Sequence, residues 1–409
     1  MVASAAPRSQ FEIKKPNITR MVDMRRTQAQ AQVYPPELVE SVTKRLDELR
    51  ERHVHNMAPM LPLIFNWERR PFHLYNHFAF EPLFSTYLPK NLLLKCARQV
   101  GKSLQMATRM ISLSATIPGF NTLFVTPMFE MTRRFSNNYV KPLINQSPMA
   151  RYWKETGTSA NVLQRSLPNG STMHFSYAFT DADRTRGINA HFNLYDEIQD
   201  FDISFISVIQ ETMGASIYGP LNAYSGTAKT FGNTIQKLWN DSSKAEWVIK
   251  CQRCGYDNIA GMEYDLDQMM GPMRNGKSEY GQISEEHPAL LCARPRCRRP
   301  IHPRFGRWWH AVPSKRMTDP GYHIPQAIMP DHCCKKDKWA ELCSKRAGRR
   351  GVPLYAFYNE VCGESYDQGA RLLAESDLQA AATLHPNDIS VARRELGKYR
   401  MRVCSVDWG

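Results

Sequence analysis

An α/β fold, with a mostly parallel sheet and flanking helices, is predicted for this chain by three observations. Short apolar runs alternate with helix-patterned stretches from Asn91 to about Lys250, as expected of parallel strands joined by crossover helices. One run, Leu92-Leu93-Leu94, leads directly into Cys96-Ala97-Arg98-Gln99-Val100-Gly101-Lys102-Ser103 and then a helix-like stretch from Leu104 to Leu113. A second run, His191-Phe192-Asn193-Leu194-Tyr195, ends in the acidic pair Asp196-Glu197.

The N-terminal residues 1–35 mix Gln, Arg, Lys and Pro with few apolar positions and read as an extended arm. From Pro36 to about His53, Leu38, Val42, Leu46 and Leu49 recur at helical spacing among charged residues, which predicts an amphipathic helix. Residues 61–90 carry Phe65, Trp67, Phe72, Tyr75, Phe78, Phe80 and Phe84, expected mostly in the core.

The strand, loop and helix around Lys102 suit nucleotide phosphates. Backbone N–H groups and the positive end of the following helix cradle anions, a lysine reaches the outer phosphates, and a serine hydroxyl completes a magnesium site. ATP and Mg2+ are therefore the expected cofactors, with Gln99, Gly101, Lys102, Ser103 and Asp196 binding them. Cys96 stands where the usual Gly-x4-Gly-Lys-Ser/Thr pattern has its first glycine. The bland alternative, a basic glycine-containing turn, is outweighed by the elements on either side. Asp196 is expected to hold the magnesium, and Glu197 to polarise the attacking water. Asn193 makes their strand less apolar than a central parallel strand usually is.

Thr122 to Thr126, closed by Pro127, is a further strand candidate, and Ser225-Gly226-Thr227 follows another, Asn222-Ala223-Tyr224. Small hydroxyl residues at such a strand end suit sensing of the outer phosphate and coupling of hydrolysis to motion. Leu167-Pro168-Asn169-Gly170-Ser171 predicts a hairpin turn into Thr172–Tyr177, with antiparallel strands added near the sheet edge. Together these features predict a P-loop NTPase of the additional-strand type.

Two close cysteine pairs form a second constellation, Cys251/Cys254 and Cys292/Cys297. Each pair can sit on a tight knuckle, and four thiolates suit a tetrahedral Zn2+, which predicts a zinc ribbon. His302 and His310 are alternative ligands that four thiols make unnecessary; Cys333, Cys334 and Cys343 lack metal spacing and read as structural thiols. Arg294, Arg296, Arg298, Arg299 and Arg304 crowd the second knuckle, and Lys345-Arg346-Ala347-Gly348-Arg349-Arg350 forms another basic run. Contact with DNA phosphates and a solvated face suit both clusters equally.

The formal charge of +14 over 409 residues suits a polyanionic partner. Ten cysteines and a polar, basic start argue against an oxidising compartment. No stretch approaches the roughly 20 consecutive apolar residues of a membrane span.

Arg98-Gln99-Val100-Gly101-Lys102-Ser103, Arg186-Gly187 ahead of the strand ending in Asp196-Glu197, and Ser225-Gly226-Thr227 resemble the motifs of one family, the large terminase subunit of tailed bacteriophages. The layout is lambda-like, with a cysteine-paired insertion followed by Gly306-Arg307-Trp308-Trp309. Gly321–Gln326 and Tyr358–Tyr366 look like the stretches joining a terminase ATPase to its nuclease. Ala228 departs from the proline common after the coupling motif.

The resemblance runs from about residue 75 to the C-terminus and implies ATP-driven translocation of double-stranded DNA into a capsid. It also implies a ring, most often of five, docked on a portal protein, fed by a small terminase subunit and working in the host cell cytoplasm. Arg98 would contact the outer phosphates, Arg184 or Arg186 would neutralise transition-state charge, and part of the aromatic segment would hold adenine. Met401–Asp407 is similar to the strand that opens the family's RNase H-like nuclease, with Asp407 as its first metal carboxylate. A single carboxylate does not build a two-metal site, so endonuclease activity is expected only of a longer chain.

The organisation expected is an N-terminal arm and helix (1–60), a P-loop ATPase core (61–250), a zinc-ribbon insertion (251–310), the rest of the ATPase with a linker (311–395), and the first strand of a truncated nuclease domain (396–409). A helicase-like or remodelling P-loop ATPase, or a zinc-dependent DNA-binding module, would share many of the same features.

Overall fold

In the computed structural model the described residues are 56–150, 161–271 and 283–367, with the isolated positions 37, 44, 273–274 and 277–278. Apart from positions 37 and 44, the expected amphipathic helix of residues 36–53 lies outside them, as does the C-terminal strand at Met401–Asp407. The described elements belong to one compact unit that ends at Tyr366.

Ten strands form one sheet: β1 (Asn91–Cys96), β2 (Thr122–Thr126), β3 (Gln164–Ser166), β4 (Thr172–Tyr177), β5 (Phe192–Tyr195), β6 (Asn222–Gly226), β7 (Ala245–Lys250), β8 (Asp257–Ile259), β9 (Gly306–His310) and β10 (Gly321–Ile324). Their order is β8-β7-β10-β1-β6-β5-β2-β4-β3, with β9 along the remaining edge of β7. From β7 to β4 every pairing is parallel. The residues of β2, β5 and β6 are all buried. This explains the apolar Leu-Phe-Val run of β2, since a parallel sheet is covered on both faces.

Asn193 is tolerated in β5 because its amide donates to the Ile209 carbonyl (3.1 Å) and Thr212 Oγ1 (3.1 Å). A buried polar group is costly only when its hydrogen bonds are unmade.

The hairpin at Leu167–Ser171 makes β3 and β4 antiparallel at the sheet edge, as expected, but β4 itself pairs parallel to β2. From β2 the chain runs through α2 (Phe129–Phe135) and its helical continuation to Gln146 before reaching β3, and the hairpin that reverses β3 leaves β4 pointing the same way as β2.

The sheet also extends beyond Lys250. β8, β9 and β10 rejoin it around the cysteine knuckles, with Trp308 and Trp309 opposite Trp247 and Glu246. Of the aromatic segment, Phe65, Phe72, Phe80 and Phe84 are buried, whereas Tyr75 is exposed.

One topological feature positions everything that follows. β6 lies between β1, which carries the phosphate-type loop, and β5, which ends in Asp196-Glu197. The three C-terminal strand ends therefore open side by side on one edge, where ligands bind to open α/β sheets.

Candidate functional site: a nucleotide pocket at three strand ends

The loop after β1 turns sharply into the helix α1 (Lys102–Thr116). Gly101 sits at φ +87°, a conformation that L side chains rarely adopt, and a Cβ there would approach His77 Nε2 to 2.9 Å. The first turn of α1 has no acidic residue and no side-chain cap, so its N–H groups remain available for an anion.

Later segments brace the loop from behind. Ala97 N–H donates to the Ile324 carbonyl (2.9 Å) and Arg98 N–H to the Glu360 carbonyl (2.8 Å). Gln326 Nε2 donates to the Arg98 carbonyl (2.6 Å), and His332 Nε2 lies 3.2 Å from the Gln99 carbonyl oxygen.

Charged and hydroxyl side chains from all three strand ends converge. Lys102 Nζ lies 2.5 Å from Glu197 Oε1 and 3.8 Å from Asp196 Oδ1. Ser103 Oγ donates to Asp196 Oδ2 (3.1 Å) and Ser225 Oγ to Asp196 Oδ1 (2.6 Å). Glu197 occupies the left-handed region at φ +56°, an unusual position for a non-glycine residue.

Burial raises the pKa of the Asp196 carboxyl, against the pull of Lys102. Burial also disfavours charge on Glu197, but the Lys102 ammonium and hydrogen bonds outweigh it and lower that pKa. Burial works against the Lys102 ammonium as well, yet Asp196 and Glu197 overcome it and raise the pKa. Lys102 is therefore a buried cation held between two acids, a poised electrostatic arrangement rather than a solvated surface pair.

Gln199, which the sequence reading did not single out, completes the arrangement. It is buried; its Nε2 donates to Glu197 Oε2 (2.6 Å) and its Oε1 accepts from Thr227 N–H (3.1 Å). A Cβ at Gly226 would come within 2.3 Å of Gln199 Oε1, so glycine at that position is what lets the turn approach β6. Thr227 Oγ1 is buried without a hydrogen-bond partner. The only sequence signal for Gln199 is its place two residues after the acidic pair.

Of the expected arginines, Arg98 lies in the loop itself, and its charge helps to lower the Glu197 pKa. The exposed Arg98 guanidinium pairs with Glu360 (2.8 Å). Arg186 is exposed and pairs with Asp183 (2.7 Å), and Arg184 stacks on the Tyr177 ring (4.8 Å to its centre). Asp407 lies outside the described residues.

The four paired cysteines come together, with all four Sγ atoms within 4.8 Å of one another. Cys251 Sγ to Cys297 Sγ is 3.7 Å and Cys254 Sγ to Cys292 Sγ is 3.6 Å. A tetrahedron with Zn–S bonds of about 2.3 Å has edges of about 3.8 Å, close to these two spacings, so the group is compact enough to suit a zinc ion. His310 is engaged by Ser243 and His302 by the Glu285 carbonyl. Neither histidine joins the group. Cys333, Cys334 and Cys343 are buried and stand apart from it.

A phosphate loop, an acidic strand end and an intervening third strand define a P-loop ATPase of the additional-strand type. The family described as phage terminase large subunit gpA, ATPase domain, matches residues 84–309. The chain therefore belongs to that family of phage terminase large subunits: it is an ATP-binding ATPase whose hydrolysis drives DNA packaging.

Among solved structures, the large terminase ATPase domain of Thermus phage P74-26 is 16% identical over 73% of this chain and 94% of that one, with a TM-score of 0.41. The HK97 bacteriophage large terminase is 13% identical over 76% of this chain and 55% of that one, with a TM-score of 0.45. No curated protein sequence matches. No helix among the described residues is long and apolar enough to cross a membrane.

Proposed function

We propose that Gly101, Lys102 and Ser103 hold the phosphates of ATP, with Gln99 shaping the loop and Ser103 and Asp196 holding Mg2+. The observation that carries this reading is the convergence of Lys102, Ser103, Asp196, Glu197 and Ser225 from three adjacent strand ends. Two hard oxygen donors, the Ser103 hydroxyl and the Asp196 carboxylate, suit magnesium, which takes one or two protein oxygens beside those of the phosphates. Bound there, the ion would neutralise charge developing on the outer phosphates.

Glu197, kept ionised by Lys102, is the group that orients and polarises water. Arg98 exchanges Glu360 for the outer phosphate, and Arg184 or Arg186, from this or a neighbouring subunit, supplies transition-state charge. The unpaired hydroxyl of Thr227 supports a sensing role for Ser225-Gly226-Thr227.

Cys251, Cys254, Cys292 and Cys297 hold one Zn2+, which ties β7 and β8 to the segment leading into β9. In the same reading the substrate moved is double-stranded DNA. The partners are a portal protein, a small terminase subunit and further copies of this chain in a five-membered ring, in the host cell cytoplasm.

The discriminating experiment is ATP hydrolysis with duplex DNA present, alongside a strand-separation assay. Stimulation by duplex without unwinding is expected. Unwinding of a forked substrate would instead favour a helicase.

A further inference from the structure

The side-chain amide of Gln199 spans two features that the hydrolysis cycle must connect. Glu197 has both carboxylate oxygens engaged, Oε1 by Lys102 and Oε2 by Gln199 Nε2 at 2.6 Å. The other end of the same amide, Oε1, accepts the backbone N–H of Thr227 at 3.1 Å. Only one orientation of the amide works. Turned over, it would set oxygen against carboxylate and NH2 against N–H, two repulsive contacts in a buried site.

The residue is also fixed from its own main chain, whose carbonyl accepts from Asn233 Nδ2 (3.2 Å) just before α4 (Thr234–Asp241; α3 is Ile203–Gln210). Gly226 leaves the space the amide occupies. The result is a short, rigid strut between the carboxylate at the end of β5 and the backbone at the end of β6.

We propose that Gln199 is a positioning residue for hydrolysis: it sets the direction of the Glu197 carboxylate according to where the tip of β6 lies. Displacement of Thr227 by more than a hydrogen bond's slack releases the amide and frees Glu197 to turn. Water activation is thereby tied to the state of the coupling strand. The inference rests on the reading of Glu197 as the water-orienting group.

The test uses the full chain, four single variants and one double variant. Gln199→Met keeps the side chain's bulk and removes its hydrogen bonds to Glu197, Thr227 and, at 3.4 Å, Asp200 Oδ2; Gln199→Glu sets a second carboxylate against Glu197. Both are expected to lower kcat about tenfold or more, with KM for ATP changed less than about threefold.

Gly226→Ala pushes on the same amide from the strand side, most closely at Gln199 Oε1 (2.3 Å) and less so at Ile198 (3.1 Å), and should reproduce the kinetic pattern. Its cost should largely disappear when added to Gln199→Met, a non-additivity expected of groups acting as one unit. Parent kcat in Gln199→Met, or fully additive costs in the double variant, overturns the proposal. Glu197→Gln separates the two readings. If it retains hydrolysis, the role of Glu197 fails; if it loses hydrolysis while Gln199→Met does not, only the strut fails.

Discussion

Lys102 is buried among carboxylates, and the cost of stranding them differs with the partner removed. Lys102→Ala leaves Asp196 and Glu197 facing each other without a cation, so ATP affinity is expected to fall by about a hundredfold or more, measurable by nucleotide titration. Ser225→Ala removes one donor to Asp196 while leaving the lysine, and should cost far less binding than turnover.

A second buried pair predicts a pH effect on stability. His323 donates toward Glu246 Oε2 (2.8 Å) and the Cys362 carbonyl (2.7 Å), so both ring nitrogens face acceptors and the imidazolium is the form that fits. Burial opposes that charge, but Glu246 and then Glu364 outweigh it, and the pKa is raised above 6.5. The stabilisation is therefore fully present below pH 6.5 and lost as pH rises through the folded-state value. His323→Ala should destabilise by about 3 kcal/mol at pH 6 and by clearly less at pH 9, as read from denaturant midpoints. An equal loss at both values would contradict a charged His323.

At the scale of elements, the parts most legible in the sequence were those specified locally. The strand, loop and helix around Lys102 and the strand ending at Asp196-Glu197 carry their own periodicity, and the turn at Leu167–Ser171 carries its own chemistry. What sequence did not carry was long-range pairing. β9 and β10 return to the sheet after the cysteine knuckles, and Glu360, Gln326 and His332 brace the phosphate loop from more than two hundred residues away. Gln199 was missed for a similar reason, since its meaning depends on Thr227 lying opposite it.

The cysteine knuckles make a prediction at this scale. Elemental analysis of protein purified without chelator should give one zinc per chain, and Cys254→Ser should lose it and loosen β8 and β9, seen as faster amide exchange. Protein that is free of zinc yet fully folded would remove the metal from the account.

For the whole molecule, the parallel sheet gathers three strand ends on one edge, so changes at the phosphates have a direct route to β6. The net charge of +14 adds a long-range attraction for polyanions. Affinity for duplex DNA should therefore fall steeply with salt, by about 0.9 in log affinity per log unit of salt for each phosphate neutralised. A flat salt response would argue against a backbone-contacting DNA motor.

The central claim, one triphosphate pocket in which Lys102 faces Asp196 and Glu197, is tested most directly by Glu197→Gln. Side-by-side ATP titration and single-turnover hydrolysis should show affinity within about threefold of the parent and hydrolysis reduced by at least about a hundredfold. Hydrolysis at the parental rate in that variant would contradict the account.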